Sequence, residues 1–178
     1  MNSKELFYLF ARYFVLIAIG LFGTSIIYSV FTPLTIYPVF WVLNLFYSVS
    51  LENSTLFINN LSINIIPACI AGAAYYLLLI LNLSTPLELR TRAKSLAFII
   101  SSFLILNIIR IVIFAALFIQ GFSYFDFAHK LTWYFGSTIL VAVIWFMNVF
   151  ILKIKSIPAC TDLKNLFNMV MNKGKRKR

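Results

Sequence analysis

Four long apolar stretches divide the sequence, and each of them is long enough to cross a lipid bilayer. They occupy residues 14–31, 65–83, 95–119 and 133–152. A transmembrane helix takes roughly 20 predominantly apolar residues, because a helix of that length spans the hydrocarbon core and bonds its own backbone polar groups. The pattern therefore predicts an all-α integral membrane protein with about four transmembrane helices, folded as one membrane-embedded domain over residues 1–152.

The segment between the first two stretches is too polar to cross the membrane. Its first half, residues 34–49, has the length of a helix that lies in the membrane interface and is anchored by aromatic side chains. Its second half, residues 55–66, places β-branched and aromatic residues on both sides of Asn59-Asn60, a pair that tolerates the left-handed backbone of a tight turn. We therefore predict an interfacial helix and then a short hairpin before the second transmembrane helix.

The composition agrees with a membrane protein and argues against a soluble one. Of the 178 residues, 62% are hydrophobic and only 11% are charged, and the mean hydropathy is +0.94. Soluble domains carry roughly 25% charged residues. The net charge of +10 belongs to basic residues that flank the apolar stretches instead of covering one face of a soluble module. We interpret this charge as a signal of membrane topology and expect no nucleic-acid partner.

The distribution of Lys and Arg predicts the orientation of the chain in the membrane. If the N-terminus is cytoplasmic, all fifteen basic residues except Arg110 and Lys130 fall on the cytoplasmic side, as the positive-inside rule requires. The chain is then a multi-pass protein of the plasma membrane with both termini on the cytoplasmic side, and residues 153–178 form a basic cytoplasmic tail. This tail is suited to anionic lipid headgroups, with nucleic acid as the less favoured alternative.

Arg110 is the most informative single residue, because it lies within the third apolar stretch. Burying a guanidinium at the centre of a membrane helix costs about 2.5 to 3.5 kcal/mol on insertion scales, so an intramembrane charge is by default a functional residue. At the rise of an α-helix, Arg110 is roughly 13 Å from the outer end of its stretch, and its side chain can extend outward. Asn107 lies on the same helical face and can support the guanidinium or bond to a neighbouring helix.

Cys69 and His129 are predicted to lie on the outer side of the membrane together with the head of Arg110. Cys69 opens the second stretch just after Pro67, and His129 lies in the connector 121–132 before the fourth. A thiol near a helix N-terminus and close to cationic groups is favoured as the thiolate. The three residues can therefore serve as nucleophile, oxyanion or thiolate stabiliser, and acid or base in cysteine acyl transfer. Taken singly, Cys69 could be an inert buried thiol and His129 an interfacial residue.

Cys160 is predicted to be non-catalytic. The tetrapeptide Ile-Pro-Ala-Cys occurs twice, ending at Cys69 and at Cys160, but Cys160 falls in the cytoplasmic tail, across the membrane from His129. One His, five scattered acidic residues and two Cys on opposite sides do not supply a metal-binding cluster, and no phosphate-binding or dinucleotide-binding motif is present. We expect no metal and no cofactor.

Three short motifs in this order resemble the exosortase/archaeosortase family. They are Ile66-Pro-Ala-Cys-Ile-Ala-Gly72, Asn107-Ile-Ile-Arg-Ile111 and Phe127-Ala-His129, and the resemblance covers roughly residues 14–152. Members of this family are polytopic transpeptidases that resemble sortases by convergence of the active site and not by fold. Many members have more spanning helices, so this chain is similar to a reduced, archaeosortase-like core. The family motif more often has Gly two residues after the Cys, where this chain has Ala71.

The resemblance implies both an activity and the role of each residue. Cys69 corresponds to the nucleophile, Arg110 to the intramembrane arginine, and His129 to a third site at which archaeal members often carry another arginine. The implied substrate is a surface protein with a C-terminal sorting signal, made of a short recognition motif, a transmembrane helix and a basic end. It would be cleaved at the outer face, then transferred to a lipid or other anchor, or hydrolysed.

Two other functions are compatible with the residues themselves. In a small transporter or channel component, Arg110 would contact the substrate and Cys69 would be incidental. In a non-enzymatic assembly subunit, Asn107 and Arg110 would bond to another membrane protein. Both alternatives predict that loss of the Cys69 thiol is harmless.

Overall fold

The chain forms a bundle of long helices with a small antiparallel sheet at one end. A computed structural model describes the backbone of residues 3–58 and 60–154. The helices are α1 (Ser3–Asn44), α2 (Pro67–Ile70), α3 (Gly72–Ser84), α4 (Leu89–Ile119), α5 (Phe125–Leu131) and α6 (Ser137–Ile151), with a π-helical turn, Thr132–Gly136, between the last two. The strands are β1 (Val49–Glu52), β2 (Thr55–Ile58) and β3 (Leu61–Asn64).

The prediction of about four helices that are long and apolar enough to span a membrane is confirmed. Four helical segments are long and apolar enough to cross a bilayer: Ser25–Asn44 within α1, Pro67–Ser84 across α2 and α3, Leu89–Ile119, and Phe125–Ile151. The predicted fold class needs one correction, because the protein is mostly helical but not all-α. Its three strands form a sheet between the first and second of these segments.

The separate interfacial helix predicted over residues 34–49 is wrong. α1 continues to Asn44, with Pro33 and Pro38 inside it. The buried residues of this part of α1 include Ile36, Val39 and Leu43. Their spacing places them on one helix face, which packs against the sheet, α2 and α4. This packing offsets the backbone hydrogen bonds that the two prolines remove, so the helix does not end where the prolines alone would indicate.

The sheet has the order β1-β2-β3, and both neighbouring pairs are antiparallel. The hairpin predicted over residues 55–66 is confirmed as β2 and β3. β1 lies outside that prediction, because Val49 falls at the end of the predicted interfacial helix and residues 50–52 precede the predicted hairpin. Asn53 and Asn60 have φ angles of 55° and 67°, in the left-handed region that Asn adopts more readily than most residues. These two Asn residues allow the tight turns that join the strands.

Two buried clusters hold the helices and the sheet together. The first lies at the sheet end and joins α1, β2, α2 and the second half of α4. The second lies in the other half of the bundle and joins α1, α3, α4 and α6. In it, Tyr75 stacks on Phe31 with ring centroids 3.8 Å apart and meets the edge of Phe103 at 4.7 Å. α4 belongs to both clusters, so its polar residues are held in position from both ends.

Short connectors make neighbouring spans antiparallel. The connector from α3 to α4 and the connector from α4 to α5 each take only a few residues. The ends of α1 and α4 and the beginnings of α2 and α5 therefore share the end of the bundle that carries the sheet. The opposite end carries the beginning of α4 and the end of α6.

Arg92 organises the connector at that opposite end. Its Nη1 donates to the carbonyl oxygens of Asn82 and Leu83 at 3.2 and 3.3 Å, and its Nη2 donates to those of Thr85 and Leu87 at 3.0 and 3.4 Å. The last carbonyls of a helix have no partner within that helix. One guanidinium therefore closes the end of α3 and ties the connector to the first turn of α4.

Replacing Arg92 by methionine is expected to lower the free energy of unfolding by about 2 kcal/mol, because hydrogen bonds to a charged group contribute about 1.5 to 3 kcal/mol. The matched control is Arg90→Met in the same turn of α4, where the side chain is exposed, and a change within about 0.5 kcal/mol is expected. Denaturant unfolding in detergent micelles measures both. Equal effects of the two substitutions would contradict this role of Arg92.

Candidate active site

A cavity of about 240 Å³ opens at the sheet end of the bundle, and three of the predicted site residues line it together. Cys69 comes from α2, Arg110 from α4 and His129 from α5. Further lining comes from residues 62–66, which include most of β3, and from aromatic side chains that include Phe114 and Trp133. The fold thus brings three residues that are far apart in the chain to one largely apolar space.

Local sequence places Cys69 at the beginning of the second span. Pro67 occupies the first helical position, where no amide donor is needed, and Ile66 is the N-cap. The Cys69 amide donates to the Ile66 carbonyl at 2.8 Å. The thiol is partly exposed. Cys69 therefore lies in the single turn of helix that begins the second span.

The second span is interrupted just after Cys69. Ala71 has φ 59° and ψ 45°, the left-handed conformation, and separates α2 from α3. This break interrupts the helical hydrogen-bond ladder, so the carbonyls of Cys69 and Ile70 turn to partners outside their own helix. Asn107 supplies one, since its Nδ2 donates to the Cys69 oxygen at 3.0 Å and to the Ile70 oxygen at 3.5 Å.

Asn107 is a supporting residue behind the cavity. It is completely buried and holds the backbone of the nucleophile candidate. Of the two roles predicted for it, the structure shows the bond to a neighbouring helix. Its contact with the Cys69 carbonyl fixes the distance between α4 and the turn of α2.

Arg110 lies three residues after Asn107 on α4, and its side chain contacts the same turn of α2. Its Nη2 donates to the Cys69 carbonyl oxygen at 3.5 Å, and its Nη1 donates to Ser137 Oγ at 2.8 Å. A guanidinium has five N–H donors, and these two bonds occupy two of them. Arg110 can therefore keep its contacts with the protein and still donate to a group in the cavity.

His129 lies within the predicted connector over residues 121–132, most of which folds as the short helix α5. The imidazole stacks on the Phe125 ring at 5.4 Å with an interplanar angle of 7°, and meets the edge of Phe114 at 5.5 Å. These two aromatic rings hold His129 at the cavity, although its side chain is exposed.

Ser137 and the π-helical turn before it contribute to the candidate site but were not predicted from the sequence. Ser137 receives the Arg110 hydrogen bond at the start of α6. A Cβ added at Gly136 would lie 2.7 Å from Thr132 Cγ2, so a larger residue there would require the Thr132 side chain to move. The available signal was Gly136-Ser137-Thr138, a run of small and polar residues within an apolar stretch. Short π-helical segments are frequent at functional sites.

Neither metal binding nor similarity to known proteins adds a function to this site. Within residues 3–58 and 60–154, no group of three or more His, Cys, Asp and Glu residues could hold a metal ion. Cys160 lies outside the described residues. No family model matches the chain, and comparison with curated proteins and with solved structures finds no match.

Replacing Ala71 by glycine is expected to raise the free energy of unfolding by about 1 kcal/mol, because the left-handed conformation costs an L-residue about 1 to 2 kcal/mol that glycine avoids. The matched control is Ala73→Gly, two residues later inside α3, which should lower it by about 1 kcal/mol. Both can be measured by unfolding in micelles. Destabilisation by both substitutions would show that the backbone at Ala71 is not strained.

Proposed function

We propose that this protein is a membrane-embedded cysteine peptidase or transpeptidase of the exosortase/archaeosortase type. It would cleave the C-terminal sorting signals of surface proteins at the outer membrane face. The observation that carries the proposal is the shared cavity of Cys69, Arg110 and His129, in which Arg110 also contacts the backbone of Cys69. The ordered motifs around these residues, which resemble that family, support the same conclusion.

Each residue has a chemical role in the proposed reaction. The Cys69 thiolate attacks the scissile carbonyl carbon, a C–S bond forms, and the carbonyl oxygen becomes an oxyanion that Arg110 stabilises. The C–N bond then breaks, and protonated His129 gives its proton to the leaving amine. The result is a thioester between Cys69 and the upstream part of the substrate. A lipid amine or hydroxyl, or water, attacks this thioester, gives its proton to His129 and releases the thiolate.

The surroundings of the cavity support a site at a membrane–water boundary. Tyr124, Trp133 and Tyr134 are exposed at this end of the bundle, and such aromatic side chains are enriched at membrane interfaces. Arg90 and Lys94 lie near the opposite end, at the beginning of α4. With basic residues on the cytoplasmic side, the cavity faces outward in the proposed orientation. A substrate anchored by its own helix would present its scissile bond at this level.

The proposal is tested by co-expression with an epitope-tagged surface protein that carries a C-terminal apolar helix and a basic end. The expected result is a shortened substrate, together with a covalent adduct to this protein that neutral hydroxylamine releases, as it does thioesters. The control substrate has the same tag but lacks the helix and the basic end. If all such surface proteins of the native host keep their full length in cells that express this protein, the proposal is wrong.

A further inference from the structure

β3 is an edge strand that borders the cavity. In the part of the chain that the structure describes, β3 pairs with β2 on one side only. Residues 62–66 all line the cavity. Because successive side chains of a strand point to opposite faces, consecutive lining residues mean that the cavity meets the edge of the strand and not one of its faces.

The register shows which backbone groups lie on this edge. The Ile65 amide donates to the Ser54 carbonyl at 2.9 Å, so residue 65 directs its backbone polar groups toward the rest of the sheet. In an antiparallel ladder this direction alternates along the strand. Ser62 and Asn64 therefore direct their N–H and C=O groups away from β2. Both residues are exposed and both line the cavity.

From these observations we infer that the edge of β3 is the docking site for an extended segment of the substrate polypeptide, next to its scissile bond. This inference rests on the proposed function and adds how the substrate is held. The segment pairs as a fourth strand with the outward backbone groups of Ser62 and Asn64, as in other β-strand additions. A four-residue strand is about 13 Å long, which suits about four substrate residues.

The position of this edge favours a substrate peptide over other partners. Open edges in natural sheets are usually protected by charged residues, proline or a covering element. β3 reads Leu-Ser-Ile-Asn, with neither charge nor proline, and its open edge faces the cavity of the nucleophile candidate. The chain passes from Asn64 to Cys69 within five residues. A peptide bound along β3 therefore continues toward the thiol without crossing another element.

Disulfide crosslinking tests the docking without requiring catalysis. The protein carries Cys69→Ala, Cys160→Ala and Ser62→Cys, and the tagged substrate carries one cysteine at successive positions near the cleavage site. Directly opposed residues of paired strands are at disulfide distance and share a face, so we expect a strong crosslink at the one substrate position opposite residue 62, weaker crosslinks two residues away from it and none at the positions between. The matched control is Ser50→Cys on β1, whose backbone pairs with β2, and no crosslink is expected there.

The possible results of the crosslinking experiment test the docking of the substrate separately from its cleavage. Crosslinks of equal yield at all positions, or equal yield from Ser50→Cys, overturn the inference even if the wild type cleaves the substrate. Alternating crosslinks with a substrate that the wild type never cleaves overturn the proposed function and support the docking. A Ser62→Cys disulfide between two copies of the protein that forms in equal yield with and without the substrate overturns the inference in favour of self-association.

Proline substitution tests the backbone contact directly. Proline removes an N–H and is tolerated on a strand edge where that N–H does not pair within the sheet. We expect Ser62→Pro to lower the rate of substrate processing about tenfold, whereas Ser62→Ala stays within about twofold. Asn64→Pro and Asn64→Ala form a second matched pair if the first proline variant does not fold. Equal processing by the proline and alanine variants that fold overturns the inference.

Discussion

Replacing Cys69 by alanine is expected to lower the rate of substrate processing at least about a thousandfold, since removal of a catalytic nucleophile leaves only the contribution of binding and electrostatics. The thiol lines the cavity, and in the proposed mechanism no other described side chain can form the thioester. Pulse-chase labelling of the tagged substrate measures the rate. Loss of the shortened product and of the hydroxylamine-sensitive adduct are expected together.

The matched control for this prediction is Cys160→Ala. Cys160 follows the same Ile-Pro-Ala tripeptide as Cys69, so the two substitutions remove the same group from similar local sequences. Processing by Cys160→Ala is expected to stay within about twofold of wild type, because the proposed reaction gives Cys160 no role. A Cys69→Ala variant that still processes a validated substrate would disprove the nucleophile assignment. The transporter or assembly functions would then be favoured.

Cys69→Ser separates chemistry from folding in the same assay. Serine retains the size of the side chain and the backbone contacts of Cys69 with Asn107 and Arg110. A serine hydroxyl without a closely placed base is a weak nucleophile, so processing should be lost while the melting temperature in micelles is unchanged. A large fall in melting temperature would indicate that the thiol contributes to packing.

The helical part of the fold could be predicted from the sequence because the membrane imposes a simple rule on it. Every backbone polar group in the hydrocarbon core must be bonded internally, so a long apolar stretch is a helix with few alternatives. The region between the first two spans follows no such rule. There, the packing of α1 over residues 34–44 against the sheet outweighs the local effect of Pro33 and Pro38. That packing depends on contacts between distant parts of the chain.

The sequence indicates which residues could form the candidate site, but it does not predict how they are arranged in space. Cys69, Arg110 and His129 stand out in the sequence because a charge within a long apolar stretch, a thiol at the start of another and a single imidazole between two of them are unusual. The left-handed break at Ala71 and the hydrogen bond to Ser137 do not stand out. Neither has a strong local signal, since alanine normally favours helix and a serine in a membrane helix is common.

The second large effect is expected at Arg110. Arg110→Met should lower the rate of processing about a hundredfold to a thousandfold, the range seen when one donor to an oxyanion is removed. Arg110→Lys keeps the charge but cannot reproduce the planar fork that contacts both Ser137 Oγ and the Cys69 carbonyl. Its expected loss is about tenfold, near the value of one hydrogen bond to a charged group.

The stability of Arg110→Met distinguishes a functional arginine from a structural one. The guanidinium of Arg110 lies in a largely apolar cavity, where its desolvation has a cost that an apolar side chain of similar length avoids. The Cys69 carbonyl also keeps its bond from Asn107. We therefore expect Arg110→Met to unfold at the same or higher denaturant concentration than wild type while processing is lost. A variant that loses both would instead indicate that Arg110 holds α4 and α6 together, as in an assembly subunit. Ser137→Ala is the matched control, since it removes the partner of Nη1 and leaves the charge.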